Sequence, residues 1–359
     1  MAKLSTDVAI VGGGLSGLAL ADHLQRAGVS FHLFEARQSL GGRVRARTVG
    51  EGRFDIGPSW FWPGQPRLAA MVDRFGLEVF EQHASGTLTY ETETGEVQRG
   101  RGYASMQGSY RIKGGMPVLT DGLAGSLPAD HLTLGARVAA IRRDGADLNL
   151  LQAEGDVLCS ANTVVLAVPP RVADTMTFAP ALPDAVHAAM RAIPTWMAGQ
   201  AKFLAVYQQP FWREAGLSGD AMSRHGPMVE VHDASDPHAR LGALFGFIGV
   251  PAHIRADNGP ALHDACLAQL GRLFGDAALS PIDCLVQDWA LERETAMQDD
   301  WQGPQSHPDY GLPPVLSNLW DGHLMLGSTE IAVQFGGYLE GALEAAELVA
   351  VRLISMRAG

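Results

Sequence analysis

Gly12-Gly13-Gly14-Leu15-Ser16-Gly17, followed by Glu35, is the pattern in this 359-residue chain whose residue types and spacing speak most directly of chemistry. It reads G-x-G-x-x-G. Gly12 permits a tight turn, Gly14 has no Cβ to keep a pyrophosphate from the backbone, and Gly17 lets a helix lie close on a strand. The free N–H groups and positive dipole end of that helix suit phosphate. A carboxylate at the end of the next strand, here Glu35, can accept hydrogen bonds from the ribose hydroxyls of adenosine. The expected chemistry is dinucleotide binding, and the fingerprint alone leaves FAD and NAD both open. Lys202 is the second candidate. It is one of three lysines, with Lys3 and Lys113. In the alternating run Gln200–Tyr207 it shares a face with Leu204 and Val206, so its amine is either buried or that of an edge lysine reaching to solvent.

The elements around these residues follow from periodicity. Asp7–Val11 is a short apolar β-branched run ending in glycines, as a buried parallel strand reads. Leu15–Ala27 carries a helical stripe stopped by Gly28, and Ser30–Glu35 is a second strand, completing one βαβ unit. Thr163–Val168 is another buried strand, closed by Pro169-Pro170. Val138–Arg142, Leu148–Ala153, Lys202–Tyr207, Ala243–Ile248, Cys284–Trp289 and Leu324–Gly327 read as strands. Gly114–Leu127, 259–275 and about 338–357 read as helices. The expected architecture is α/β: a Rossmann-like dinucleotide-binding domain from 1–63, 114–180 and 313–359, with a substrate domain of mixed sheet and helices from 64–113 and 181–312.

Composition narrows the function. At 47% hydrophobic residues the chain can bury the cores of two packed domains. A net charge of −12 argues against nucleic acid and anionic membranes as partners. Cys159, Cys266 and Cys284 are widely separated, which indicates neither a disulfide framework nor a zinc site. The twelve histidines form no H-x-x-H or H-E-x-x-H pattern, so no metal is expected, and no nucleophile elbow occurs. The N-terminal residues run into a strand without a basic, apolar leader, and no apolar run reaches the length of a membrane span. The expectation is a soluble, cytoplasmic protein of unassigned oligomeric state.

Further motifs bring in a family. Glu35-Ala36-Arg37 is followed by Leu40-Gly41-Gly42-Arg43-Val44. Phe54-Asp55-Ile56-Gly57-Pro58-Ser59-Trp60 comes next, then Gly114-Gly115-Met116-Pro117. Gly327-Ser328-Thr329-Glu330 and Gly337-Tyr338-Leu339-Glu340-Gly341-Ala342 stand near the C-terminus. In this order they resemble the flavin amine oxidase superfamily over essentially the whole chain. The resemblance implies that the Rossmann-like domain is an FAD-binding domain (GR2-type), with the FAD held without a covalent bond because no cysteine stands where some members attach it. Its implied contacts are Gly12, Gly14, Leu15, Ser16, Gly17, Glu35, Ala36, Arg37, Gly42, Arg43, Gly57, Pro58, Ser59, Trp60, Val138, Thr329, Glu330, Gly337 and Tyr338. It also implies that Lys202 holds a water at the flavin, and that Tyr338 forms one wall of an aromatic cage that steers an amine. For the opposite wall the usual motif is missing, and Trp301 is the candidate. The implied reaction is oxidation of an amine to an imine, with dioxygen as acceptor and hydrogen peroxide as product. A desaturase-like, porphyrinogen-oxidase-like or renalase-like enzyme with a non-amine substrate would share the same FAD motifs.

Overall fold

The computed structural model describes residues 4–238, 240–304 and 306–358. Its first sheet has eight strands. The central strand Ser5–Val11 pairs in parallel with Phe31–Phe34 on one side and Val157–Leu166 on the other. The register sets Val11 beside both Phe34 and Leu166, so three strand ends open at the same level. Leu324–Leu326 adds in parallel beside Val164–Leu166 and carries the C-terminal motif to that same edge. Ligand sites in doubly wound sheets form at such carboxyl ends.

Helix Leu15–Arg26 covers this sheet because its stripe of Leu15, Leu18, Leu20 and Leu24 is buried. Each such side chain contributes about 1.5–3 kcal/mol of burial. Gly28, at φ +67°, takes the left-handed turn that ends the helical run. Helix Leu339–Ala358 lies against it and buries Leu343, Ala346, Val349 and Leu353 in the same core.

The second sheet has seven strands, in the order Asp283–Asp288, Ala201–Tyr207, Gly242–Ile248, Met228–Asp233, Leu217–Ser223, Thr87–Glu91 and Val97–Arg99. Every residue of Ala201–Tyr207 is buried, because both of its faces are covered. Phe203, Ala205 and Tyr207 meet helix Gly259–Phe274, while Leu204 and Val206 meet Phe54, Ile56 and Phe245.

Two segments given to the substrate domain on sequence grounds bury their apolar faces in the first core instead. Helix Pro66–Phe75 inserts Leu68 and Met71, and helix Asp184–Ala192 inserts Val186 and Met190. Conversely Phe54 and Ile56 belong to the core under the second sheet. Strands Leu217–Ser223 and Met228–Asp233 are absent from the periodic reading. Ser218, Asp220, Ser223, His232 and Asp233 are polar yet buried, which erases the alternation that marks a half-buried strand.

Candidate active site

A cavity of about 480 Å³ runs from the carboxyl ends of the first sheet to the face of the second. At the sheet end, Gly12, Gly14, Leu15 and Ser16 line it. The helix beginning at Leu15 has no side-chain cap, so its first N–H groups are free to face a ligand. A Cβ on Gly17 would stand 2.0 Å from the Gly12 carbonyl oxygen; Gly17 does not line the cavity but lets helix and loop touch. Glu35 is buried and accepts hydrogen bonds from the backbone N–H of Gly13 (2.7 Å) and of Arg37 (2.9 Å). That fixes its carboxylate at the cavity rim beside Ala36 and Val138.

Further along, Gly42 approaches Gly14 and Arg43 enters the wall. Arg43 donates to Glu330 Oε1 at 2.6 Å. Glu330 is fully buried behind the wall, so it holds the arginine and does not itself line the cavity. Ser328 Oγ and Glu330 Oε2 are buried without a hydrogen-bond partner, an unusual state for native polar atoms. The segment 289–295 closes the nucleotide end. Arg37 donates to Glu292 and Thr295, Arg45 donates to Glu292, and Trp289 Nε1 donates to the Ile56 carbonyl.

At the other end lies Lys202. Strand register sets it opposite Phe247, and its amine passes under the loop 57–60. Lys202 Nζ donates to the Gly57 carbonyl at 2.5 Å and to Ser59 Oγ at 2.9 Å. It stands 4.1 Å from the Phe245 ring centroid, 5.3 Å from Phe247 and 5.7 Å from Trp60. The side chain is 5% exposed, so the edge-lysine alternative fails. Burial pushes its pKa down to about 7; the charge of Asp55 opposes that shift and the charge of Arg111 adds to it. Asp55 moves the other way, up to about 6, because it too is buried, although Arg111 and the Met116 N–H both favour its ionised form.

Tyr338, Trp62, Trp196, Phe247 and Met106 complete this end. Trp301 does not. Its indole N–H donates to the Ala290 carbonyl, and the ring lies outside the cavity wall. Its neighbour Asp300 is a buried carboxylate that accepts hydrogen bonds from Arg171 and the Thr195 N–H and so anchors the short helical turn. The ring that stacks on Tyr338 is His307, 4.9 Å between centroids and inclined by 12°. His307 Nε2 also bonds the Gly336 carbonyl at 2.9 Å, and Trp196 meets its edge at 4.9 Å. Neither His307 nor Phe247 belongs to a recognisable motif; the only signal for Phe247 was the aromatic alternation of Phe245 and Phe247 in their strand.

These residues fit an FAD. The bare helix start and glycine loop suit its pyrophosphate, Glu35 its ribose, and the unpartnered Ser328 hydroxyl is a donor waiting beside the cavity. Comparison with known proteins agrees. The model of the flavin containing amine oxidoreductase family matches residues 97–354. The chain belongs to that family. Residues 10–75 match the NAD(P)-binding Rossmann-like domain. A probable flavin-containing monoamine oxidase A of Dictyostelium discoideum is 24% identical, across 94% of this chain and 95% of the relative. Putrescine oxidase of Kocuria rosea is 23% identical, across 98% and 95%. The structure of cyclohexylamine oxidase from Brevibacterium oxydans superposes with a TM-score of 0.79 at 21% identity, covering 99% of this chain and all of the other, which shows a shared fold. As a family member the chain is an FAD-dependent oxidoreductase acting on amines. Among the described residues no helix is long and apolar enough to cross a membrane.

Proposed function

We propose that the protein oxidises an amine to an imine, which water hydrolyses to a carbonyl compound, with dioxygen as the electron acceptor. The balance is one amine, one dioxygen and one water consumed, and one carbonyl compound, one ammonia or amine and one hydrogen peroxide formed. The observation that carries this reading is the aromatic end of the cavity, where the rings of Phe245, Phe247 and Trp60 surround the buried amine of Lys202, and Tyr338 and Trp62 line the wall. FAD, bound there without a covalent link, supplies the two-electron chemistry; none of Cys159, Cys266 and Cys284 lines the cavity.

The protein supplies orientation and a dry wall. Aromatic faces attract an approaching ammonium ion. The same apolar wall penalises the charge once the amine is inside, which favours loss of its proton. A neutral amine can release hydride from its carbon without a strong protein base. Two of the Lys202 bonding positions are committed to Gly57 and Ser59, leaving one to hold a water at the reacting end. Gly57, Pro58, Ser59 and Trp60 form the neighbouring wall.

Anaerobic mixing of the purified yellow protein with amines tests the reading. Bleaching by an amine, followed by return of colour and stoichiometric peroxide on admitting air, is the expected result. Bleaching without peroxide would replace dioxygen by another acceptor. Absence of bleaching across aliphatic and aromatic amines would refute amine oxidation.

A further inference from the structure

We infer that His232, which lines no part of the cavity, is a positioning residue for its aromatic end: it fixes the rings around Lys202 and, through Glu230 and Ser105, the segment 101–107 that carries Met106 into the wall. The inference deepens the amine-oxidation reading and rests on it for the identity of the reacting end. Strand register supplies the first link. Phe247 pairs with Lys202 on one side and with Glu230 on the other, and Phe245 pairs with His232. Side chains two apart on a strand share a face, so Glu230 and His232 stand on the face that carries Phe245, Phe247 and Lys202. The imidazole is 1% exposed and lies 4.9 Å from the Trp60 ring, 5.3 Å from Phe245 and 6.3 Å from Phe247. These are the three rings that surround the Lys202 amine.

The imidazole is itself clamped. Its Nδ1 bonds Asp220 Oδ1 at 3.0 Å, and its Nε2 makes an ion contact with Glu230 Oε1 at 3.3 Å that is not aligned as a hydrogen bond. Asp220 Oδ2 has no hydrogen-bond partner, and among the described residues neither carboxylate has another ion-pair partner. Burial works against a charged ring here, but the carboxylates on both nitrogens outweigh it and raise its pKa. Glu230 Oε1 also accepts from the Ser105 hydroxyl. Among the described residues, this is the only hydrogen bond that joins 102–107 to another segment, and Tyr103 within it is 65% exposed. Release of Glu230 therefore frees the Met106 side of the cavity without removing any group that reacts.

Ser105→Ala, His232→Phe and the double variant, each loaded with FAD, provide the test against the parent. Tryptic cleavage after Arg101 reports attachment of the segment. Bleaching without air by hexylamine, or by whichever amine bleaches the parent fastest, reports binding and reaction separately. Ser105→Ala should be cleaved about tenfold faster and need about five- to tenfold more amine for half-maximal bleaching, as loss of one hydrogen bond to a charged acceptor implies. Its limiting rate should stay within about twofold of the parent. Ser105→Thr, which keeps the hydroxyl, should restore both values. His232→Phe keeps a ring against Trp60, Phe245 and Phe247 but withdraws both nitrogens. It should be cleaved as fast as Ser105→Ala, and the double variant no faster, because residues acting through one contact are not additive. Should His232→Phe fail to fold, His232→Gln, which keeps a polar group for Asp220, takes its place. A residue of merely structural role would lower Tm and leave cleavage and half-saturation alone. Parental cleavage in Ser105→Ala, full additivity in the double variant, or a loss confined to the limiting rate overturns the inference. If no amine bleaches the parent, amine oxidation fails instead, and the cleavage pattern still decides the link from His232 to the segment.

Discussion

Replacing Lys202 with Met removes an amine and keeps the stem that packs between Phe245, Phe247 and Trp60. In the folded protein, burial pushes the amine pKa down to about 7, from 10.5 in the free side chain. The folded state therefore gives up this proton near pH 7, and the unfolded chain keeps it until about pH 10.5. Between those values the unfolded state binds more protons, so the stability of the parent rises with pH across the window. Below pH 7 the burial penalty is fully expressed. At about 1.4 kcal/mol per pH unit the whole effect is on the order of 5 kcal/mol. Loss of the hydrogen bonds to Gly57 and Ser59 works against the substitution by about 1 kcal/mol each. The variant should thus fold, and should lack the parent's rise in stability between pH 7 and 10. Urea unfolding followed by tryptophan fluorescence at several pH values measures this directly. Amine-driven bleaching should stay near the parental rate, while recovery of colour in air slows about tenfold or more. A variant with the parent's pH slope would refute the buried, proton-poor amine. Parental rates in both half-reactions would refute its part in the chemistry.

Glu35→Arg removes a carboxylate that accepts two backbone N–H groups, each worth about 1.5–3 kcal/mol. FAD affinity should fall at least about tenfold, read by fluorescence titration of the apoprotein, and unchanged retention would sink the ribose assignment. Gly17→Ala would set a methyl group 2.0 Å from the Gly12 carbonyl oxygen, so the protein should purify colourless or with a much lower Tm; a yellow variant with parental Tm contradicts the helix–loop contact. Tyr338→Phe should retain nearly full kcat/KM, whereas Tyr338→Leu should lose a few-fold to about thirtyfold, corresponding to about 0.5–2 kcal/mol of cation–π attraction. Equal activity of the two removes the cage. His307→Ala should raise KM more than it lowers kcat, because the ring it removes only positions Tyr338; a loss confined to kcat would assign it a different role.

By itself the sequence determined the nucleotide half of this protein. A glycine loop, a strand-ending glutamate and a bare helix start are set by backbone conformation over a few residues, so their geometry follows from local composition. Gly12, Gly14, Leu15, Ser16, Glu35 and Arg43 accordingly meet at one cavity end. The fold class was legible for a related reason: apolar periods of two and 3.6 survive wherever one face is buried. They fail where polar residues are buried and bonded, as in Leu217–Ser223, and domain edges fail where a helix such as Pro66–Phe75 crosses to the other core. The aromatic end was decided by tertiary structure alone. Lys202 meets Phe247, about 45 residues further along the chain, through antiparallel register. His307 reaches Tyr338 through a loop whose course no periodicity encodes. Trp301, the candidate where the usual motif is missing, instead donates to the Ala290 carbonyl and lies outside the cavity wall. Asp55, Arg111 and Lys202 perturb one another only because three distant segments bury their charges together, and burial is a property of the packed chain, not of any stretch of it.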